Sequence, residues 1–178
     1  MAERVTDFEA VYAVMYEPIL GYALRRCASP EDAADVVAET FTVAWRRFEE
    51  IPSGDRARLW LYGVARHVLA NHRRSEKRRR LHTTRLRDEI AEAPVDPTDT
   101  AAITQALAGL DERDREVICL VAWEGLNHSG LATVLGCSPG TARVRLHRAR
   151  KRLARALRAA GVEHLAVTPA ISERSSLA

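Results

Sequence analysis

The stretch that decides the fold is GLNHSGLATVLGCSPGTARVRLHRARKRLARAL, residues 125–157. Asn127 can cap a short helix that ends at Gly136, and Ser138 followed by Pro139 can cap the next helix. A helix, a tight turn that contains glycine and a second helix form the layout of the DNA-binding helix-turn-helix. This stretch therefore predicts a small helical module that binds DNA.

The second helix of this stretch has an apolar stripe and a basic surface. From Arg143 to Arg158 it has eight Lys or Arg and no acidic residue, so its exposed side suits a polyanion. Val144 lies on the outward side, where an apolar side chain suits contact with a thymine methyl group. The stripe consists of Ala142, Leu146, Ala149, Leu153 and Leu157. The residues expected to contact base edges and nearby phosphates are Thr141, Arg143, Val144, His147 and Arg148.

Two earlier stretches also carry signals for a helix start. Ser29 and Pro30, followed by two acidic residues, supply an N-cap, a proline at the first helical position and negative charge in the first turn. Asp111 is expected to cap another helix, with Asp114 three positions later in a capping-box role.

The helix that starts after Ser29 is expected to run to about Phe48 and to have two faces. One face is apolar and consists of Ala33, Val37, Phe41, Ala44 and Phe48, whereas Asp32, Asp35 and Glu39 share the opposite face. By itself, such an acidic face is typical of any solvated helix.

A strongly basic helix is predicted over RARLWLYGVARHVLANHRRSEKRRR, residues 56–80. From Arg66 to Arg80 it has seven basic residues and one acid. This density of positive charge is typical of a phosphate-binding surface. An unpaired base can also stack on Trp60 or Tyr62, for about 1–3 kcal/mol. The aromatic and aliphatic residues of this helix also fit an ordinary core, but the basic run does not.

Composition narrows the class of protein. Residues 1–50 hold 5 basic and 10 acidic side chains, whereas residues 51–100 and 101–178 each hold 11 basic and 7 acidic ones. We therefore expect partners of both positive and negative charge.

No stretch approaches the roughly 20 apolar residues that cross a bilayer, and we expect no membrane insertion. Three scattered cysteines predict neither a disulfide scaffold nor a spaced zinc knuckle, so we expect a reducing, cytoplasmic compartment. The six histidines do not cluster with the cysteines at ligand spacing, so we expect no metal site and no cofactor.

The pattern predicts an all-α protein with two small helical domains joined by a flexible linker. The first domain spans residues 1–80, and the linker spans 81–100, where Pro94 and Pro97 interrupt the helical periodicity. The second domain, residues 101–160, contains the helix-turn-helix. Residues 161–178 form a tail to which we assign no role.

Three segments in order resemble the extracytoplasmic-function (ECF) sigma factors of the bacterial sigma-70 family. SPEDAADVVAETFTVAWRRF resembles their polymerase-binding helix, and RLWLYGVARHVLANHRR resembles the promoter-melting helix that follows it. LDERDREVICLVAWEGLNHSGLATVLGCSPGTARVRLHRARKRL resembles their fourth region. The resemblance covers roughly residues 8–158. A non-catalytic initiation factor is therefore expected, one that gives core RNA polymerase its promoter specificity.

The resemblance also implies a role for each surface. Asp32, Asp35 and Glu39 would face the clamp helices of the largest polymerase subunit. The fourth region would bind the minus-35 element in the major groove through its basic helix and would dock on the flap of the second-largest subunit. An anti-sigma protein is a further expected partner. The residues expected to hold the minus-10 strand are Ser53, Arg56, Arg58, Trp60, His67, Asn71, Arg73 and Arg74.

The linker length agrees with this picture, because promoter elements about 17 base pairs apart are separated by ~58 Å and roughly 20 extended residues reach ~66 Å. Three residues depart from common family patterns. His67 stands where Asn is frequent, His128 where Tyr is frequent, and Gly130 where Glu is frequent. Contacts near the minus-10 strand and at the flap are accordingly expected to differ from those of other members.

Two other classes of protein fit parts of the sequence. An autonomous helix-turn-helix regulator would bind an operator as a dimer without polymerase, but the acidic front and the aromatic, basic second helix fit it less well. A nuclease ranks last, because the carboxylates lie on one helix surface without a glycine-rich loop or a cluster of His and Cys.

Overall fold

The computed structural model describes residues 2–82 and 99–160, and the central part of the predicted linker and the tail lie outside these residues. The described residues form seven α-helices and one short 3-10 helix, which confirms the predicted all-α class. The helices are α1 (Ala2–Leu24), α2 (Pro30–Arg46), α3 (Asp55–His82), α4 (Asp99–Ala108), α5 (Glu112–Ala122), α6 (His128–Leu135) and α7 (Pro139–Ala159). Both ends of the predicted linker are helical, since α3 continues to His82 and α4 begins at Asp99.

The chain divides into two compact units, one built on α1 to α3 and the other on α4, α5, α7 and most of α6. No helix among residues 2–82 and 99–160 is long and apolar enough to cross a bilayer.

The N-terminal unit is a bundle in which α1, α2 and α3 pack against one another. Its core is formed by aliphatic and aromatic side chains that are almost completely shielded from solvent, among them Ile19, Tyr22, Val36, Leu61 and Tyr62. Burial of such side chains supplies most of the stability of a small helical unit. The three helices therefore hold their outer faces in fixed positions.

Helix α2 begins as predicted, at Pro30, because the Ser29 side chain accepts a hydrogen bond of 3.1 Å from the backbone N–H of Asp32. It ends at Arg46, two residues before the predicted end. The short 3-10 helix Phe48–Glu50 follows, and an ion pair between Arg47 and Glu50 lies beside it. The apolar face of α2 packs inward, as the buried Ala33, Val37, Phe41 and Ala44 show.

In the C-terminal unit, α4 and α5 pack against α7. Asp111 caps α5 as predicted, since its carboxylate accepts from the backbone N–H of Asp114 at 2.8 Å. Asp114, for which the sequence suggested a capping-box role, is buried, and its carboxylate pairs with Arg152 of α7. This residue therefore connects two helices that are distant in sequence.

The turn between α6 and α7 is fixed by hydrogen bonds at both helix ends. Gly136 has a positive φ of 61° and ends α6, and the next N–H, of Cys137, bonds to the carbonyl of Ala132 at 3.0 Å. Ser138 then caps α7 by accepting from the N–H of Thr141 at 3.2 Å. Asn127 caps α6 by accepting from the N–H of Gly130 at 2.8 Å. The predicted caps of the helix-turn-helix are therefore confirmed.

Candidate nucleic-acid interface

The outer face of α7 carries all five residues predicted to contact a base or phosphate. Their side chains are exposed, and Val144 keeps 48% of its surface accessible. The opposite face is the predicted stripe, whose five side chains are all buried. Packing of the stripe thus fixes the rotation of α7 about its axis and leaves Thr141, Arg143, Val144, His147 and Arg148 together on the outside.

One arginine of α7 has a different partner. The Arg152 guanidinium pairs with the carboxylates of Asp114 and, at 3.3 Å, Asp111. The hydrogen bond and the charge of Asp114 raise the pKa of Arg152 above its ordinary value. Arg152 therefore holds α7 against the start of α5 inside its own unit.

The exposed side of α3 brings most of the predicted minus-10 residues into one row. On a helical wheel they fall within about 60° of one another, and the row continues beyond them to Arg78. Gly63 interrupts it, and an ideal Cβ at Gly63 would meet no described atom within 4 Å apart from the helix's own backbone. Ser53 is exposed in the loop before α3. The row consists of Arg56, Trp60, Gly63, His67, Asn71, Arg74 and Arg78.

Several side chains of this row contact neighbours within the N-terminal unit. The guanidinium carbon of Arg47 lies 5.5 Å from the ring centroid of Trp60, a cation–π contact that restrains the half-buried indole. Arg74 donates a hydrogen bond to the side-chain oxygen of Asn71. Arg78 and Lys77 belong to the basic run but were not among the predicted contacts. Together with Asn71, Arg74 and Ser75 they line an open surface pocket beside the row.

Two of the predicted minus-10 residues lie away from this row. Arg58 places its guanidinium carbon 5.5 Å from the ring centroid of Tyr62. Arg73 is half-buried and donates a hydrogen bond of 2.9 Å to the carbonyl of Arg26 in the α1–α2 connection. The structure therefore gives both residues contacts inside the N-terminal unit, and a role in DNA binding stays a prediction for them.

Of the three carboxylates on the predicted acidic face of α2, two are exposed and one has contacts inside the N-terminal unit. Asp35 and Glu39 are exposed and one helical turn apart, so they form a continuous negative surface. Asp32 is half-buried, accepts a hydrogen bond of 2.8 Å from the Ser29 hydroxyl, and lies 3.4 Å from the imidazole of His72 on α3. Asp32 is therefore less available to an external partner than the other two carboxylates.

A cluster of side chains surrounds this contact, and sequence analysis did not identify it. Asp32, His72 and Glu76 converge at the junction of α2 and α3. Burial raises the pKa of the nearby Cys27 thiol; the charges of Asp32 and Glu76 add to this effect, and those of Arg73 and Arg26 oppose it. The sequence shows that His72 and Glu76 are four positions apart on one helix. It does not show that Asp32, on another helix, lies beside them.

Comparisons with known proteins identify the family. The family model described as "Sigma-70 region 2" matches residues 11–79, and the one described as "Sigma-70, region 4" matches residues 100–153. The ECF RNA polymerase sigma factor SigL of Mycobacterium tuberculosis is 35% identical over 147 residues, which cover 79% of this chain and 83% of SigL. The ECF RNA polymerase sigma factor SigF of Caulobacter vibrioides is 34% identical over 143 residues, which cover 78% of this chain and 79% of SigF.

A solved structure shows the same fold. The sigma factor RpoE from Bartonella quintana, crystallised in complex with the anti-sigma factor NepR, superposes with a TM-score of 0.68 at 24% identity. The superposition covers 85% of this chain and 97% of RpoE. The chain therefore belongs to the ECF group of the sigma-70 family and is an RNA polymerase sigma factor. An autonomous operator-binding regulator, the other reading of its helix-turn-helix, is not favoured.

Proposed function

We propose that this sigma factor binds core RNA polymerase through α2, holds the minus-10 strand along α3 and contacts the minus-35 element through α7, without catalysing a reaction itself. The observation that carries this proposal is the exposed row of α3. It places cationic, amide and aromatic side chains along one line, which suits a single strand with a charged backbone and stackable bases.

Opening of the promoter requires that lost base stacking be replaced. A base that leaves the duplex can stack on an aromatic ring for about 1–3 kcal/mol, and Trp60 supplies such a ring at the beginning of the row. Arg56 lies at the start of this side of α3, and Arg74 and Arg78 lie one turn apart near its other end, so phosphates at both ends of the row can meet a cation. The row therefore stabilises the unpaired strand by stacking and by charge.

For the minus-35 element, α7 presents the geometry of a recognition helix. Its outer face combines cations for phosphate and guanine with Val144 and Thr141 for apolar or hydroxyl contact with a base edge. The buried stripe fixes the rotation of α7, so the same five side chains face the groove whenever the helix enters it. Contact with the polymerase flap belongs to the same C-terminal unit by family resemblance.

For polymerase binding, we favour Asp35 and Glu39 as the carboxylates that meet the basic clamp helices, with Asp32 contributing to the position of α2. An anti-sigma protein that covers these surfaces would hold the factor inactive. The sigma factor RpoE shares this fold and was crystallised in complex with the anti-sigma factor NepR, which supports a partner of that kind.

Run-off transcription with bacterial core polymerase tests the proposal. The purified chain together with core polymerase is expected to initiate at discrete sites on fragments of the host genome, and neither component alone is expected to do so. Absence of specific transcripts from the combined components would refute the proposal.

Charge reversal tests the polymerase surface separately. Asp35→Lys and Glu39→Lys are each expected to weaken binding to core polymerase, because each places a cation opposite basic clamp helices. Glu9→Lys, which reverses an exposed carboxylate on α1, is the matched control and should bind like the unmodified chain. Equal affinity of all three variants by titration would show that this face of α2 is not the contact.

A further inference from the structure

Three side chains with metal-ligating atoms converge at the junction of α2 and α3. Asp32 lies in the first turn of α2, and His72 and Glu76 lie one turn apart on α3. One ligand atom from each side chain lies within 4.8 Å of the other two. The row that we propose for DNA includes neither His72 nor Glu76.

The spacing of His72 and Glu76 on α3 suits the binding of one metal ion by both side chains. Residues four positions apart lie on the same face of a helix, and metal-binding helices use this spacing to direct two side chains at one ion. Asp32 approaches the same point from the facing helix. A site built from two packed helices holds its ligands in place before an ion arrives, because the buried core fixes the positions of both.

The separation of the ligand atoms agrees with the size of a small divalent ion. Nε2 of His72 lies 3.4 Å from Oδ1 of Asp32. This distance is at the long end of the range for a nitrogen–oxygen hydrogen bond. It equals the edge of a tetrahedral zinc site, since two ligands about 2.1 Å from the ion lie roughly 3.4 Å apart.

The carboxylate of Asp32 is also oriented as a ligand would be. The hydroxyl of Ser29 donates to Oδ2 of Asp32 at 2.8 Å, and Oδ1 faces His72. Ligating carboxylates in metal sites are commonly held by such outer hydrogen bonds. The side chains of His72 and Asp32 keep 18% and 25% of their surface exposed, so an ion can reach them from solvent.

We propose that Asp32, His72 and Glu76 bind one divalent transition-metal ion of the zinc class, with water in the remaining position. Two carboxylates and a neutral imidazole carry two negative charges, which a divalent ion neutralises. The imidazole favours zinc-class ions over magnesium or calcium, which prefer oxygen ligands alone. The bound ion would fasten the start of α2, which carries the acidic surface, to the helix that carries the DNA-facing row.

Zinc titration of the purified, reduced full-length chain tests this site without polymerase or DNA. Competition with a chromophoric chelator should show one tightly bound zinc ion per chain. His72→Gln and Glu76→Gln should each weaken that binding by about 100-fold or more, since even outer-shell changes cost about 10–100-fold. Zinc should also raise the melting temperature of the unmodified chain and of neither variant.

Matched controls separate this site from other zinc-binding groups. Glu31→Gln changes an exposed carboxylate in the same turn of α2, and His128→Gln changes a histidine of the other unit, so both should bind zinc like the unmodified chain. Cys27→Ser should also retain the tight site, because the thiol is not one of the three ligands. The proposal is overturned if the unmodified chain binds no stoichiometric zinc. It is overturned equally if His72→Gln and Glu76→Gln both retain full affinity, or if only Cys27→Ser loses it.

Discussion

Helices α3 and α7 are both rich in arginine, yet the two helices use their arginines differently. On α7 the predicted contact residues all remain on the outer face, whereas Arg152 pairs with Asp111 and Asp114 of its own unit. On α3, Arg73 reaches a backbone carbonyl and Arg58 lies against a tyrosine ring. Position around the helix, rather than the number of basic residues, therefore separates arginines that face a partner from those that stabilise the fold.

The outer faces differ in chemistry as well. The row of α3 contains an aromatic ring and an amide, whereas the face of α7 contains a hydroxyl and a branched aliphatic side chain. Flat rings suit unpaired bases, and small apolar groups suit the edges of paired ones. This difference agrees with our proposal that α3 binds a single strand and α7 binds the duplex, and each part of the proposal can be tested.

The largest expected effect is on stability. Leu146→Ala removes a fully buried side chain from the stripe of α7 and should destabilise the C-terminal unit by about 2–5 kcal/mol. Val144→Ala, two positions earlier on the exposed face, should change stability by less than about 0.5 kcal/mol. Chemical denaturation of both variants checks this difference, and similar midpoints would contradict the placement of the two faces.

The next effect is on promoter opening. Trp60→Ala should reduce open-complex formation by about 10–100-fold, because it removes a stacking surface worth about 1–3 kcal/mol. Trp60→Phe keeps a ring and should recover most of the activity. Permanganate footprinting of the holoenzyme measures the unpaired bases. If both variants open the promoter equally well, the ring has no stacking role.

A smaller effect should separate two arginines of α7. Arg148→Ala should lower the slope of log affinity against log salt by about 0.9 if it removes one phosphate contact, without lowering the melting temperature. Arg152→Ala should lower the melting temperature of the C-terminal unit, since it leaves the buried Asp114 without its partner. Salt-dependent binding of holoenzyme to promoter DNA and thermal unfolding give the two readouts. If Arg148→Ala lowered the melting temperature and Arg152→Ala lowered the salt slope, the proposed roles of the two arginines would be reversed.

The smallest expected effect concerns neighbouring residues of α3. Arg74→Ala should weaken minus-10 binding modestly, and Arg73→Ala should mainly lower the stability of the N-terminal unit by removing the bond to the Arg26 carbonyl. Because the residues are adjacent, a general loss of positive charge would affect both variants alike. Binding of holoenzyme to a pre-opened promoter, compared with thermal unfolding, distinguishes these results.

The sequence predicted the local features of the fold well. The caps at Ser29, Asp111, Asn127 and Ser138 are confirmed, because capping depends on residues within one turn of each other. The buried stripe of α7 is also confirmed, since helical periodicity alone defines it.

Pairs between helices were not predictable in the same way. Arg152 meets Asp114 across 38 positions of sequence, and His72 meets Asp32 across two helices. Periodicity identifies the face on which such a residue lies but not the residue opposite. For that reason Asp32 was grouped with Asp35 and Glu39, and the cluster with His72 and Glu76 was missed.

The glycine within the row of α3 has an energetic consequence. Alanine at position 63 would fit and would favour the helix by up to about 1 kcal/mol, because no described neighbour occupies the space that its methyl group would take. Glycine at position 63 therefore lowers the stability of α3, and no close packing against a described neighbour requires it. On the face of the row, Gly63 leaves the backbone uncovered between the side chains of Trp60 and His67. In the proposed complex, a sugar or phosphate could approach the axis of α3 more closely there than a side chain would allow.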